Sequence, residues 1–185
     1  ISACLVGSEM CIRDRQMMAR VAEASEPYLF DERFPDRTRV AARVALAVGL
    51  AAVQTAETVN AACIVAPTMS GRTVRLVSNL RPRVPIYAVT PSERVMRQQQ
   101  IHWGVVPMLG DVQGDMPSVV DNARDAVVSK GLLRPGDVAV FTAGDRSTSP
   151  VVSKGPDGTE SVAATNVMYV VQIRENDTTK QKGGK

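Results

Sequence analysis

The sequence predicts an α/β fold, a three-layer αβα sandwich around a mostly parallel five-stranded sheet whose last strand runs antiparallel at an edge. Three observations lead there. Short, almost uninterrupted apolar runs at residues 62–66, 86–90, 105–109 and 138–143 alternate with segments of helical character, and strands apolar on both faces belong to a parallel sheet covered by helices on each side. A further run, 167–173, follows its predecessor with no helix between, so its return is antiparallel rather than a right-handed crossover. Finally, the 185 residues are 44% hydrophobic, 22% charged and only 4% aromatic, a composition suited to one aliphatic core, and a chain of this size buries roughly 70% of its unfolded surface.

Taken in order, residues 16–26 (QMMARVAEASE) are good helix formers that meet Pro27, which ends a helix. Residues 27–37, PYLFDERFPDR, combine prolines with dense charge and read as a docked linker, with a boundary near Arg37. Residues 38–58 read as a long helix in which Val40, Val44, Val48, Ala52, Thr55 and then Val59 recur at steps of three and four. Its apolar stretch 44–53 would span ~15 Å against the ~30 Å of a bilayer's hydrocarbon, so it is a buried helix and not a membrane span. Thr90-Pro91-Ser92-Glu93 reads as a capping box, with Thr90 at the N-cap, Pro91 at the first helical position and Glu93 at the third. Asp115 caps the next helix, whose stripe is Val119, Val120, Ala123, Ala126 and Val127 and which Gly131 closes. Arg134-Pro135-Gly136-Asp137 turns into a strand. Residues 144–165 are polar and rich in Gly, Pro and Ser, the signature of a functional or mobile loop. Residues 175–185 are expected to be a disordered tail.

Several function classes lose support. The net charge is only +3, the arginines are scattered, and few aromatics lie among them, so no stacking platform for nucleic acid emerges, whereas small anions suit the mild basicity. Cys4, Cys11 and Cys63 form no CxxC pair and His102 is the single histidine, which leaves no zinc spacing and fits a reduced, cytoplasmic setting. No basic region precedes the short apolar opening, against a secretory signal. Neither GxxxxGK[ST] nor GxGxxG occurs. His102 and Trp103 read as packing residues, Asp137, Asp145 and Glu160 make no recognisable carboxylate pair, and Cys63 in an apolar strand is a small core residue. No catalytic residue is assigned.

The segment that carries chemistry is Thr68-Met69-Ser70-Gly71-Arg72-Thr73, which follows a strand and opens a helix. Free backbone N–H groups at the positive end of a helix dipole, with hydroxyls around them, suit an anion such as phosphate. Gly71 permits close backbone approach, and Arg72 supplies a charge-assisted contact. The alternative is that Thr68 and Ser70 merely cap the helix, and spacing alone favours that plainer use.

The block TMSGRTVRLVSNLRPRVPIYAVTP, followed by HWGVVPML, KGLLRPGDVAVFTAG and ATNVMYVVQI, resembles the C-terminal domain of pyruvate kinases in order and spacing, from about Gln16 to Ile173. The resemblance implies a domain over residues 37–174, with 16–36 a remnant of the catalytic barrel's final helix plus linker, and 1–15 a non-native leader. It implies a five-stranded sheet, contacts that help build a homotetramer, and a phosphorylated metabolite effector held at Thr68, Ser70, Gly71, Arg72 and Thr73. A second effector loop would include Gly144, Arg146, Thr165 and Asn166. The barrel carries the catalytic residues together with Mg2+ and K+, so this chain is expected to hold no cofactor and to be inactive alone. The sequence departs from the family's sugar-bisphosphate-activated members at Met69, where some place a lysine, in the length of 144–165, and in lacking a counterpart to an arginine near Val119. Two other readings stand beside this one: a purely structural oligomerisation domain without an effector, and a free-standing small-molecule αβα enzyme working at the C-terminal ends of its strands.

Overall fold

The computed structural model describes residues 9–26, 44–144, 152–154, 160–162, 165–175 and 177. The chain divides into two compact units, residues 1–34 and 35–185. In the first, α1 (Glu9–Ser25) begins well before Gln16, where the sequence reading started it. Met17, Met18 and Val21 on it are exposed. The linker residues 27–37 lie outside the described residues.

The second unit opens with α2 (Val44–Thr58) and continues β1 (Cys63–Pro67), α3 (Arg72–Asn79), β2 (Ile86–Thr90), α4 (Glu93–Gln99), β3 (Val105–Leu109), α5 (Met116–Ser129) and β4 (Val138–Ala143). A small antiparallel ribbon follows, β5 (Val152–Lys154) with β6 (Glu160–Val162), and then β7 (Val167–Gln172). The main sheet has the order β3-β2-β1-β4-β7. Its first four strands pair in parallel, and β7 pairs antiparallel with β4 at the edge, from Val138 opposite Gln172 to Ala143 opposite Val167. The predicted architecture and all five of its strands are therefore present.

Strand alternation sorts the core into two clusters. Cys63 and Val65 of β1, Tyr87 and Val89 of β2, and Ala139 and Phe141 of β4 face α5, meeting Val120, Ala123 and Val127. Ile64 and Ala66, Ile86 and Ala88, and Val140 face the other way, toward Ala52, Val53 and Ala56 of α2 and Val74 and Val77 of α3. Burying one such large side chain contributes about 1.5–3 kcal/mol, and Phe141 is fully buried. Val106 and Leu109 of β3, the strand at the other edge of the sheet, are exposed.

Two local expectations need correction. The inward stripe of α2 is Gly49, Ala52, Val53 and Ala56, sharing only Ala52 with the predicted positions that are described; Val44, Val48 and Thr55 are half-buried, Val59 is exposed, and Val40 lies outside the described residues. The reason is close approach. A Cβ on Gly49 would run into Leu76 of α3, so the helix turns the small residues Gly49, Ala52 and Ala56 toward its neighbour, with Val53 the one β-branched residue among them. The cap of α4 is also displaced. Ser92, in extended backbone, is the N-cap and accepts from the Val95 N–H at 3.4 Å, while Thr90 ends β2, fully buried. Its ladder to β3 continues through Gly110 N–H to Thr90 O, so the strand holds Thr90 and Pro91 out of the helix.

The remaining signals stand as read. Asp115 accepts from the Ser118 N–H at 3.3 Å, and its hydrogen bonds from Ser118 hold its carboxyl below the usual range. Val119, Val120, Ala123 and Val127 are buried, with Ala126 packed against them. The Gly131 N–H closes onto Val128 O at 2.8 Å with φ +69°. The Arg134–Asp137 turn is tied by the Arg134 N–H to Asp137 Oδ2 at 2.7 Å and the Asp137 N–H to Arg134 O at 3.0 Å. Within residues 144–165, read as loop, the ribbon β5–β6 is the feature not foreseen; residues 176 and 178–185 of the predicted tail lie outside the described residues.

Candidate functional site

The chain runs outward from β1 to β2 to β3 and returns to β4 on the other side of β1. The strand order thus reverses between β1 and β4, the point at which open α/β sheets leave a crevice at the carboxyl ends of their strands. Two of the predicted segments begin there: Thr68 directly follows β1, and Gly144 directly follows β4.

The turn after β1 is built from its own hydroxyl. The Thr68 N–H extends the ladder to Val89 O at 2.8 Å, and the buried Thr68 Oγ1 accepts from the Gly71 N–H at 2.9 Å. Gly71 is the N-cap of α3, with φ +78° and no side-chain cap on the helix, a backbone state that a residue with a Cβ resists. Thr68 therefore ties the turn rather than capping the first turn of α3, and the first N–H groups of that helix keep their capacity to donate. The space a Cβ would need at Gly71 is filled by the Gln99 carboxamide.

Around this turn Ser70 and Arg72 are exposed, and Thr73 is buried. Among the described residues Arg72 makes no ion pair. Met69 is half exposed. Among the described residues the second predicted loop meets the first where Thr73 Oγ1 and Thr165 Oγ1 lie 2.6 Å apart, both buried. Asn166 is half-buried, and its N–H donates to Ala143 O at 3.1 Å, which pins the entry to β7 beside Gly144, itself exposed. Arg146 lies outside the described residues. The arginine of α5, Arg124, is committed elsewhere, to Asp121 at 2.8 Å, Asp125 at 3.1 Å and Asp177 at 3.7 Å.

Gln99 is the neighbour that sequence reasoning missed. The signal was present: Val95, Met96 and Gln99 stand at the three- and four-residue spacing of one helix face, and all three are at least half-buried. Other polar residues have packing roles. Trp103 stacks under the Arg81 guanidinium at 4.4 Å, and its carbonyl accepts from Ser78 Oγ at 2.8 Å. Burial, and secondarily the Asp137 carboxylate, push the Cys63 thiol up to about 12, which keeps it protonated and poor as a nucleophile. Among the described residues no group of three or more His, Cys, Asp and Glu is placed to hold a metal ion, and no helix is long and apolar enough to cross a membrane.

The family described as "Pyruvate kinase, alpha/beta domain" matches residues 46–171. The pyruvate kinase of Staphylococcus epidermidis strain ATCC 35984 is 36% identical over 137 residues, which are 74% of this chain and 23% of that protein. That of Staphylococcus aureus strain USA300 gives the same identity and coverage. The chain thus spans less than a quarter of the length of these curated relatives. With the αβα sheet, its antiparallel edge strand and more than half of its residues matched, this chain belongs to the pyruvate kinase family, as its C-terminal alpha/beta domain.

Proposed function

We propose that this domain is a regulatory and subunit-assembly module that binds a phosphorylated metabolite at residues 68–73 and at the loop leading to Thr165. The observation that carries this reading is the uncapped start of α3 at the sheet's reversal point, with Ser70 and Arg72 exposed beside it. Phosphate is favoured there by the N–H groups at the helix start, the helix dipole and the exposed Arg72 guanidinium. The Thr73–Thr165 bond gives such a ligand a route to β7, whose Tyr169 and Val170 are exposed on the open edge of the sheet and suit contact with another subunit. In the intact protein the reaction would be phosphoryl transfer from phosphoenolpyruvate to ADP, giving pyruvate and ATP in cytoplasmic glycolysis. Its Mg2+, K+ and catalytic residues would belong to the barrel, leaving this chain inactive alone.

The test is thermal unfolding of the 185-residue chain with fructose 1,6-bisphosphate, sugar monophosphates and AMP. Ligand at 100 times Kd adds ~2.7 kcal/mol of stability, and a selective rise in Tm that Arg72→Ala abolishes is the expected result. A cooperative transition that no compound moves would instead favour a purely structural role in oligomerisation.

A further inference from the structure

Among the described residues two buried side-chain atoms have no hydrogen-bond partner, Thr142 Oγ1 and Gln99 Oε1, and the second lies against the proposed anion site. Gln99 is the last residue of α4 and only 4% exposed. Its Oε1 is buried with no hydrogen-bond partner among the described residues. The same carboxamide sits on Gly71: a Cβ there would collide with Nε2, and would stand 2.6 Å from Cδ and 3.0 Å from Oε1. A buried acceptor lacking a donor is unfavourable, and an unbranched apolar side chain of equal length would fill the same space without that cost. A polar group kept in such a place is accounted for when another state of the molecule satisfies it.

Building on the anion-site reading, we propose that Gln99 is a positioning residue of that site: its carboxamide braces the Gly71 backbone, and Oε1 accepts a donor that the turn presents when its N–H groups close on a bound phosphate group. Three features converge on this assignment. Gly71 is the N-cap whose φ of +78° aims the start of α3. Its own N–H is already engaged by Thr68, so the turn has one fixed anchor in Thr68 and the Gln99 amide packed against it. The carboxamide carries no net charge, so it adds a dipole beside the anion without the repulsion that a carboxylate would bring. Because Gln99 terminates α4, and α4 packs on β2 and β3, the occupied turn is mechanically joined to that helix and to the edge of the sheet.

The experiment compares the full chain with its Gln99→Met variant, using inorganic phosphate as the probe, by thermal unfolding and by NMR of the side-chain amides. Without phosphate, Gln99→Met should melt about 3 °C or more above the parent, since it removes an unsatisfied buried group while keeping its length. Its phosphate affinity should nevertheless fall about tenfold, a loss of about 1.4 kcal/mol. A residue of merely structural importance would not separate the two readouts in this way. In the unsubstituted chain, the Gln99 amide resonances should shift as phosphate saturates. Equal phosphate affinity in both proteins, or Gln99 resonances that stay still at saturation, would overturn the role of Gln99 and leave the anion site standing. Failure of the unsubstituted chain to bind phosphate, fructose 1,6-bisphosphate or AMP would overturn both.

Discussion

The hydroxyls of Thr73 and Thr165 share a hydrogen bond of 2.6 Å across 92 positions of sequence, joining the first turn of α3 to the entry of the edge strand β7. Both residues are buried, so neither hydroxyl can turn to bulk water when the other is lost. Thr73→Val or Thr165→Val alone should therefore cost about 1–3 kcal/mol, while replacing both should cost less than the sum of the two. Urea denaturation of the four proteins of this cycle measures the coupling directly; additive losses would show that the two residues act independently.

Gly71 and Gly131 offer a controlled comparison. Both have positive φ, +78° and +69°, but an alanine Cβ at Gly131 meets nothing within 4 Å, whereas at Gly71 it enters the Gln99 carboxamide. Gly131→Ala should cost about 1–2 kcal/mol from backbone conformation alone, and Gly71→Ala should cost more. Adding Gln99→Ala to Gly71→Ala should recover only the steric part. Equal midpoints for the two single variants would remove Gln99 from the explanation.

Arg72 is exposed and makes no ion pair among the described residues, so Arg72→Ala should leave the ligand-free Tm within about 1–2 °C of the parent, since surface changes of this kind stay within about 0.5 kcal/mol. Its affinity for a sugar phosphate should fall about tenfold or more, by loss of a charge-assisted contact. Calorimetric titration of both proteins separates the two effects.

Cys63 gives the stability a sign at alkaline pH. Burial raises its thiol from 9.0 to about 12 in the folded protein, so the contribution of the protonated thiol is complete below about pH 9. It is lost as pH climbs from 9 toward 12, at up to about 1.4 kcal/mol per pH unit. Tyr87, raised by burial and then by Cys63, acts in the same direction. Tm measured from pH 7 to 11 should be flat and then fall, and Cys63→Ala should flatten part of that fall. An unchanged slope in the variant would assign the loss to other groups.

The five strands of the main sheet were legible in the sequence by itself because burial on both faces writes itself as a short apolar run, and the order of runs with and without an intervening helix dictates parallel or antiparallel return. Caps formed by one local hydrogen bond, such as Asp115 to Ser118, were equally legible. The turn at residues 68–73 was found for the same reason, since a strand followed by SGRT and a helix is a local pattern. Tertiary structure alone decided the rest. Which face of α2 turns inward depended on how closely Leu76 of α3 approaches Gly49, and where α4 begins depended on the pairing that holds Thr90 in the sheet. The bond between Thr73 and Thr165 and the Gln99 carboxamide packed against Gly71 belong to the same class. They join residues far apart in sequence, and no periodicity or propensity records a contact that exists only once the layers have packed.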